Sequence, residues 1–162
     1  MKKKILLTSD IYLFNKKFKK NEYYHYFQTK NVSIIIPFYK KKFLLVSQKR
    51  IPIKKINFEF PSGQVDKLEK PFKSANRELV EETGYKSLKT KKLINFYSEP
   101  GRLTTKNFCY YSDNLIQISK PEPGIKIHFM TKKEVITLIK NNKFNSSSHI
   151  SAFLYFLMFG NK

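Results

Sequence analysis

The chain is short of several things. Among its 162 residues there is no Trp, one Cys and three Arg, and only 12 acidic residues stand against 32 basic ones. The single cysteine, Cys109, excludes an internal disulfide and suits a reducing cytosol, so a cytoplasmic location is expected. It lies in an apolar run and is expected to be a packed strand residue. Long apolar runs are missing too. Ile5-Leu6-Leu7 is too short for a signal-peptide core, and the stretch 150–159 falls well below the ~20 residues that span a bilayer. No membrane partner is expected, and the C-terminal run reads as a buried closing helix. Zinc-type spacing, a Ser-His-Asp order and a P-loop lysine are also absent. His25, His128 and His149 stand too far apart in sequence to form a metal set and are expected on the surface or in strands.

A net charge of +20 invites a nucleic-acid reading, and a basic nucleic-acid-binding module is one candidate function. The scarcity of arginine weakens it. Arg50, Arg77 and Arg102 are the only arginines, and lysines are scattered along the whole chain rather than gathered into a footprint. Non-specific attraction to polyanions at low salt is the expectation that remains. No linker or repeat divides the sequence, which is long enough for one domain with a proper core.

Negative charge is scarce but gathered. Six of the acids (Glu59, Asp66, Glu69, Glu78, Glu81 and Glu82) lie between positions 59 and 82. The spacing predicts a helix there. Pro71 suits its first position, Gly84 suits a left-handed C-terminal cap, and Phe72, Ala75, Leu79 and Thr83 recur as one apolar stripe. At about 100° per residue, Glu78 and Glu82 share an azimuth with Glu81 beside them, at the rim of that stripe. Three carboxylates in one turn repel each other and oppose the helix dipole. A divalent cation reverses the sign of that interaction, and Mg²⁺ prefers hard oxygen ligands with room left for water and phosphate.

The segment Gly63, Glu69, Arg77-Glu78-Leu79, Glu81-Glu82, Gly84-Tyr85 resembles the complete Nudix box, G-x5-E-x7-R-E-U-x-E-E-x-G-U, with only Tyr85 less usual than an aliphatic residue. Upstream, Gln48, Arg50, Pro52, Glu59, Pro61, Ser62 and Gly63 resemble the Q-x-R-x-P and E-x-P-A-G stretches of the ADP-ribose pyrophosphatase branch, with Ser62 in place of alanine. The resemblance implies an α/β/α sandwich around a mixed β-sheet, with residues 1–30 as a β-strand extension that dimerises and 31–162 as the hydrolase domain. It implies Mg²⁺-dependent hydrolysis (Mn²⁺ as a substitute) of a small nucleoside diphosphate derivative, ADP-ribose first, by a homodimer. Glu78, Glu81 and Glu82 with the Ser62 carbonyl would hold metal, and Arg77 would fix the carboxylates, with Glu69 its expected partner. Arg50, Gly63 and Arg102 would meet substrate, and Tyr24, among Tyr12, Tyr24 and Tyr26, is a candidate to stack the base. Glu122, the only acid in the 120–130 loop, is the candidate general base. Rival readings are a nucleotide-sugar hydrolase (GDP-mannose), an RNA 5′-end pyrophosphohydrolase and a non-catalytic Nudix-fold module.

Around the box, 4–14 and 22–29 read as strands joined by a polar turn, 31–39 and 42–50 as central strands, and 91–119 as strands around a turn at Glu99-Pro100-Gly101-Arg102. Residues 131–144 read as a helix capped by Thr131 with Val135, Leu138 and Ile139 buried.

Overall fold

The computed structural model describes residues 3–160 except positions 9 and 21. The chain starts with β1 (Lys3–Thr8), β2 (Ile11–Lys19) and β3 (Glu22–Gln28), which form an antiparallel sheet of their own. The stretch expected as a polar turn after residue 14 is largely strand: β2 runs on to Lys19, and Asn15, Lys16 and Lys17 pair with His25, Tyr24 and Tyr23. Lys16 and Lys17 are exposed, so the lysines sit on solvent-facing parts of a hairpin whose twist needs no second apolar face. Phe14, stacked on Tyr26 at 5.1 Å, is buried in this arm.

The main sheet is built from β4 (Val32–Tyr39), β5 (Lys42–Arg50), β9 (Thr90–Tyr97), β10 (Lys106–Ser112) and β12 (Lys126–Met130) in the order β12-β5-β4-β10-β9. Short β6 (Lys55–Glu59) lies beside β5, and β7 (Ser62–Gln64) beside β4. The β4–β10 pair is parallel and the other pairs are antiparallel, which makes the sheet mixed. The small pair β8 (Tyr85–Ser87) and β11 (Leu115–Gln117) stands apart.

Helices cover both faces, and the alternation in β4 shows how. Ile34 and Ile36 turn to one side, where Phe43, Phe60, Phe144, Phe153 and Phe156 form the larger core under α2 (Lys132–Lys140) and α3 (Ser147–Phe159). Ile35 turns to the other side and meets Ala75 and Leu79 of α1 (Pro71–Thr83) with Tyr110 and Leu115. The result is the expected α/β/α sandwich. Pro71 opens α1, and Gly84 closes it at φ 75°. Thr131 and Glu134 cap α2 reciprocally. Two expectations need correction. Phe72 lies on the predicted stripe but is 48% exposed, at the rim of a groove where it packs perpendicular to Tyr110. The closing helix α3 buries His149, Ala152, Phe153 and Phe156, while Leu154, Met158 and Phe159 face out.

The β4–β5 hairpin turns on Lys40 and Lys41, flanked by the Tyr39–Lys42 pair, with φ of 50° and 63°. Two positive φ values define a type I′ turn, which Asn-Gly fills without the steric cost of about 1 kcal/mol that a lysine bears. The double change Lys40→Asn, Lys41→Gly is expected to raise stability by about 1 kcal/mol net of glycine's unfolded-state entropy, a rise of roughly 2–4 °C in a thermal melt.

Candidate active site

Helix α1 carries the acids, and two segments face them. On one side β7 follows the corner Phe60-Pro61-Ser62. On the other, the loop after β11 folds back over the C-terminal end of α1: the N–H groups of Ile118 and Ser119 donate to the Gly84 carbonyl, and that of Glu122 to the Glu81 carbonyl, 3.0 Å away. Gly84 is required twice over, by its left-handed φ and because a Cβ there would collide with the Ser119 carbonyl.

Arg77 sits among three carboxylates. It makes a forked pair with Glu69 (Nε and Nη2, each 3.1 Å), the partner expected from the box. Its Nη1 donates to Glu78 Oε1 at 2.7 Å and to Glu81 Oε2 at 2.8 Å. Glu69 first, then Glu78 and Glu81, hold the guanidinium charged far beyond an ordinary arginine, and Arg77 in turn draws Glu69 below the usual carboxylate range. Burial pushes the Glu78 carboxyl up; Arg77 opposes this, while Glu81 and Glu122 add repulsion. Gly63 leaves the room Glu78 occupies, since a Cβ at 63 would collide with its carboxylate.

Glu82 differs from its neighbours. It is buried, at 7% exposure, and among the described residues it forms no ion pair. Its two oxygens take amide donors: Ser62 N–H reaches Oε2 at 3.0 Å and Gln48 Nε2 reaches Oε1 at 3.4 Å. Burial drives its carboxyl up to about 8, with the charge on Glu78 and Glu59 adding to the effect and the Ser62 amide and Arg50 opposing it. Arg50 is committed to Glu59 through Nε (3.0 Å) and Nη2, and Asn57 holds the same carboxylate at 2.7 Å. Burial raises Glu59, but Arg50 and Asn57, both bonded to it, bring it below the ordinary range.

Ser62, Gly63, Glu69, Arg77, Glu78, Glu81, Glu82 and Glu122 are thus brought to one place, with Arg50 close enough for its charge to be felt at Glu82. Tyr24 and Arg102 belong to a second place. They line a cavity of about 690 Å³ with Tyr23, His25 and Phe27, at the joint where the N-terminal sheet meets the 99–105 turn. Phe27 and Arg102 share a backbone bond there, and the Tyr24 hydroxyl donates to the Gly101 carbonyl.

The Q-x-R-x-P spacing includes Gln48 without assigning it a contact, and nothing in the sequence marks Asn57. His149 corrects an expectation. It is neither a surface nor a strand residue but lies wholly buried on α3, where it accepts Phe60 N–H on Nδ1 at 3.1 Å and is held neutral by burial, its pKa lowered to about 4. Folded His149 stays neutral where an unfolded histidine takes up a proton near pH 6.5. Stability therefore falls as the pH drops from 6.5 through about 4, by up to about 3.5 kcal/mol (two and a half pH units at about 1.4 each). Urea titrations from pH 7 to 4 are expected to show this loss in the wild type and not in His149→Asn.

Among the described residues no three His, Cys, Asp or Glu side chains stand as a ready-made metal cage, since Arg77 lies between Glu69, Glu78 and Glu81. The donors nevertheless fit a hard divalent ion. A buried carboxylate without an ion pair among the described residues, a second carboxylate one helical turn away and an adjoining peptide supply few, hard oxygens.

An α/β/α sandwich with its acids on the helix that follows a Gly63-type corner defines a fold class with a known family behind it. The chain belongs to the Nudix family: the model for the NUDIX domain matches residues 14–148. Two curated relatives match part of the chain. An ADP-ribose pyrophosphatase of Bacillus subtilis (strain 168) is 43% identical over 60 residues, 37% of this chain and 32% of that protein. A methanol dehydrogenase activator of Bacillus methanolicus is 40% identical over 70 residues, 43% of this chain and 38% of that one. The chain therefore spans only about a third of the length of either relative. Among solved structures, an ADP compounds hydrolase superposes with a TM-score of 0.82 over 98% of this chain and 90% of its own, at 17% identity. A NUDIX hydrolase from Nitrosomonas europaea superposes with a TM-score of 0.66 over 80% and 88%, at 18% identity. At such identities the likeness is one of fold.

Proposed function

We propose that the chain hydrolyses the pyrophosphate bond of a nucleoside diphosphate derivative, with ADP-ribose as first candidate, giving AMP and ribose 5-phosphate. The observation that carries this reading is Glu82, a carboxyl buried without an ion pair among the described residues and pushed up to about 8 beside Glu78. A structural acid has little reason to be placed so, whereas a metal ligand does. The partial match to a protein named ADP-ribose pyrophosphatase supports the choice of substrate.

In this reading Glu78, Glu82 and the Ser62 carbonyl hold Mg²⁺ (or Mn²⁺), with Glu81 beside them. Bound there, the ion neutralises diphosphate charge and makes a water more acidic. The chain's own groups do the rest. Arg77 keeps the carboxylates in their rotamers, and Glu122 takes a proton from the attacking water. The water oxygen bonds to phosphorus, the bridging P–O bond breaks, and the leaving phosphate departs with the electron pair. Arg50 neutralises phosphate, and Tyr24 and Arg102 hold the nucleoside end. Their separation from the acids within one chain is consistent with a homodimer in which the arm of one copy serves the other. The exposed Ile5, Leu6, Ile11 and Tyr23 of the arm offer an apolar surface for that pairing. The single, unpaired thiol Cys109 supports a cytoplasmic setting as part of this reading.

The charge of +20 favours one second reading, an RNA 5′-end pyrophosphohydrolase. A Mg²⁺-dependent phosphate-release panel separates them: ADP-ribose, GDP-mannose, a dinucleoside polyphosphate and 5′-triphosphate RNA, each with wild type and Glu82→Gln. ADP-ribose should turn over fastest. Hydrolysis of none of them, with salt-dependent RNA binding, would leave a binding module instead.

A further inference from the structure

Strand β6 pairs with β5 along one edge only, and the connection between α2 and α3 takes the other edge. Phe58 N–H donates to the Lys143 carbonyl at 2.8 Å, Asn145 N–H to Asn57 Oδ1 at 3.3 Å, and Phe60 N–H to His149 Nδ1 at 3.1 Å. Because Nδ1 accepts, the neutral ring carries its proton on Nε2, which lies 3.5 Å from Ser62 Oγ. The ring is fixed in place, stacked on Phe60 and edge-on to Phe144. Ser62 in turn donates its N–H to Glu82. The opposite side of the same corner is clamped to the sheet, since the Pro61 carbonyl accepts Ile35 N–H at 3.0 Å. One path therefore runs from the last helix, through a hydroxyl, to the buried acid of α1.

We infer that His149 is a positioning residue for Glu82, acting through the Ser62 hydroxyl to fix the corner whose N–H holds that carboxylate. The inference rests on the reading of Glu82 as a metal ligand. The departure from alanine at 62 gives it a specific basis, because only a hydroxyl there has something to offer the His149 Nε2–H. The bland alternative is that His149 merely satisfies the buried N–H of Phe60. The two differ in what a substitution does: Asn at 149 keeps an acceptor for Phe60 and loses the reach to Ser62.

The test is Mn²⁺ binding to the substrate-free, full-length protein by calorimetry, with a thermal melt beside it, for wild type, His149→Asn, Ser62→Ala, Ser62→Thr and the His149→Asn/Ser62→Ala double variant. His149→Asn and Ser62→Ala should each weaken Mn²⁺ binding about tenfold, the size expected of groups that orient a ligand. The double variant should be no weaker than either, and Ser62→Thr, which keeps the hydroxyl, should recover most of the affinity that Ser62→Ala loses. Unchanged affinity in Ser62→Ala, or losses that multiply in the double variant, overturn the inference. If His149→Asn does not fold, the contrast between Ser62→Ala and Ser62→Thr decides alone. A wild type that binds no Mn²⁺ is a different failure, because it removes the metal reading itself.

Discussion

Glu82→Gln is expected to cut hydrolysis about a thousandfold at saturating Mg²⁺ and, in the metal-free protein, to remove a loss of stability at alkaline pH. The first effect is the removal of one anionic oxygen from a cation that stabilises developing charge on phosphate, where a lost electrostatic contact costs about 10²–10³ in rate. The second comes from the direction in which burial moves the carboxyl. An unfolded glutamate releases its proton near 4.5, and folded Glu82 keeps it until about 8. Between those values the folded protein binds more protons, so stability declines as pH rises through the window. From pH 6.5 to 8 that decline amounts to about 2 kcal/mol at about 1.4 per pH unit. Glutamine fits the same space, accepts Ser62 N–H and has no proton to lose. The difference between variant and wild type in urea midpoints should therefore grow from pH 6.5 to 8, and saturating Mg²⁺ should shrink it by favouring the ionised wild-type acid. Near-normal turnover in the variant would take Glu82 out of the metal set. An alkaline decline shared by both proteins would mean another group titrates.

The same conflict between charge and burial makes the acid segment legible in the sequence, where crowded carboxylates stand at the rim of an apolar stripe. Pro71, Gly84 and the 72-75-79-83 stripe are local signals, and they place α1 correctly because each is settled within one helix. Arg77 and Glu69, eight residues apart, meet for the same reason: the helix and the turn before it fix their approach. What fails to show in the sequence is non-local. His149 is buried because a strand edge 89 residues earlier needs an acceptor for Phe60 N–H, and nothing near position 149 announces that need. Asn57 looks like an ordinary strand residue until Arg50 and the 143–149 segment close around it. Phe72 obeys the periodicity, yet whether a first-turn residue is covered depends on what packs over it. The length of β2 is hidden differently, since Asn15, Lys16, Lys17 and Lys19 read as turn although the lysines can stay exposed within a strand.

Two glycines flank the acid helix, and alanine at each should fail in opposite ways. At Gly63 the new Cβ would run into the Glu78 carboxylate, the mobile end of a long side chain. Glu78 can swing aside, so Gly63→Ala should fold with a melting temperature within a few degrees of wild type. Its acid would then be out of register by the width of a methyl group, and misplacement of about 1 Å can cost on the order of 100-fold in rate. At Gly84 the obstacle is the Ser119 carbonyl, which is backbone, and φ is 75°. Relief there requires the 118–122 loop to lift off the end of α1, breaking the bonds from Ile118 and Ser119 to the Gly84 carbonyl. With left-handed strain of about 1 kcal/mol added to lost packing, Gly84→Ala should lower stability by roughly 2–4 kcal/mol. Since the same loop carries Glu122 onto the Glu81 carbonyl, whatever protein remains folded should also turn over slowly. Thermal melts and rates measured together separate the two: a Gly63→Ala protein that loses stability as Gly84→Ala does would show that Glu78 is held by packing and cannot yield.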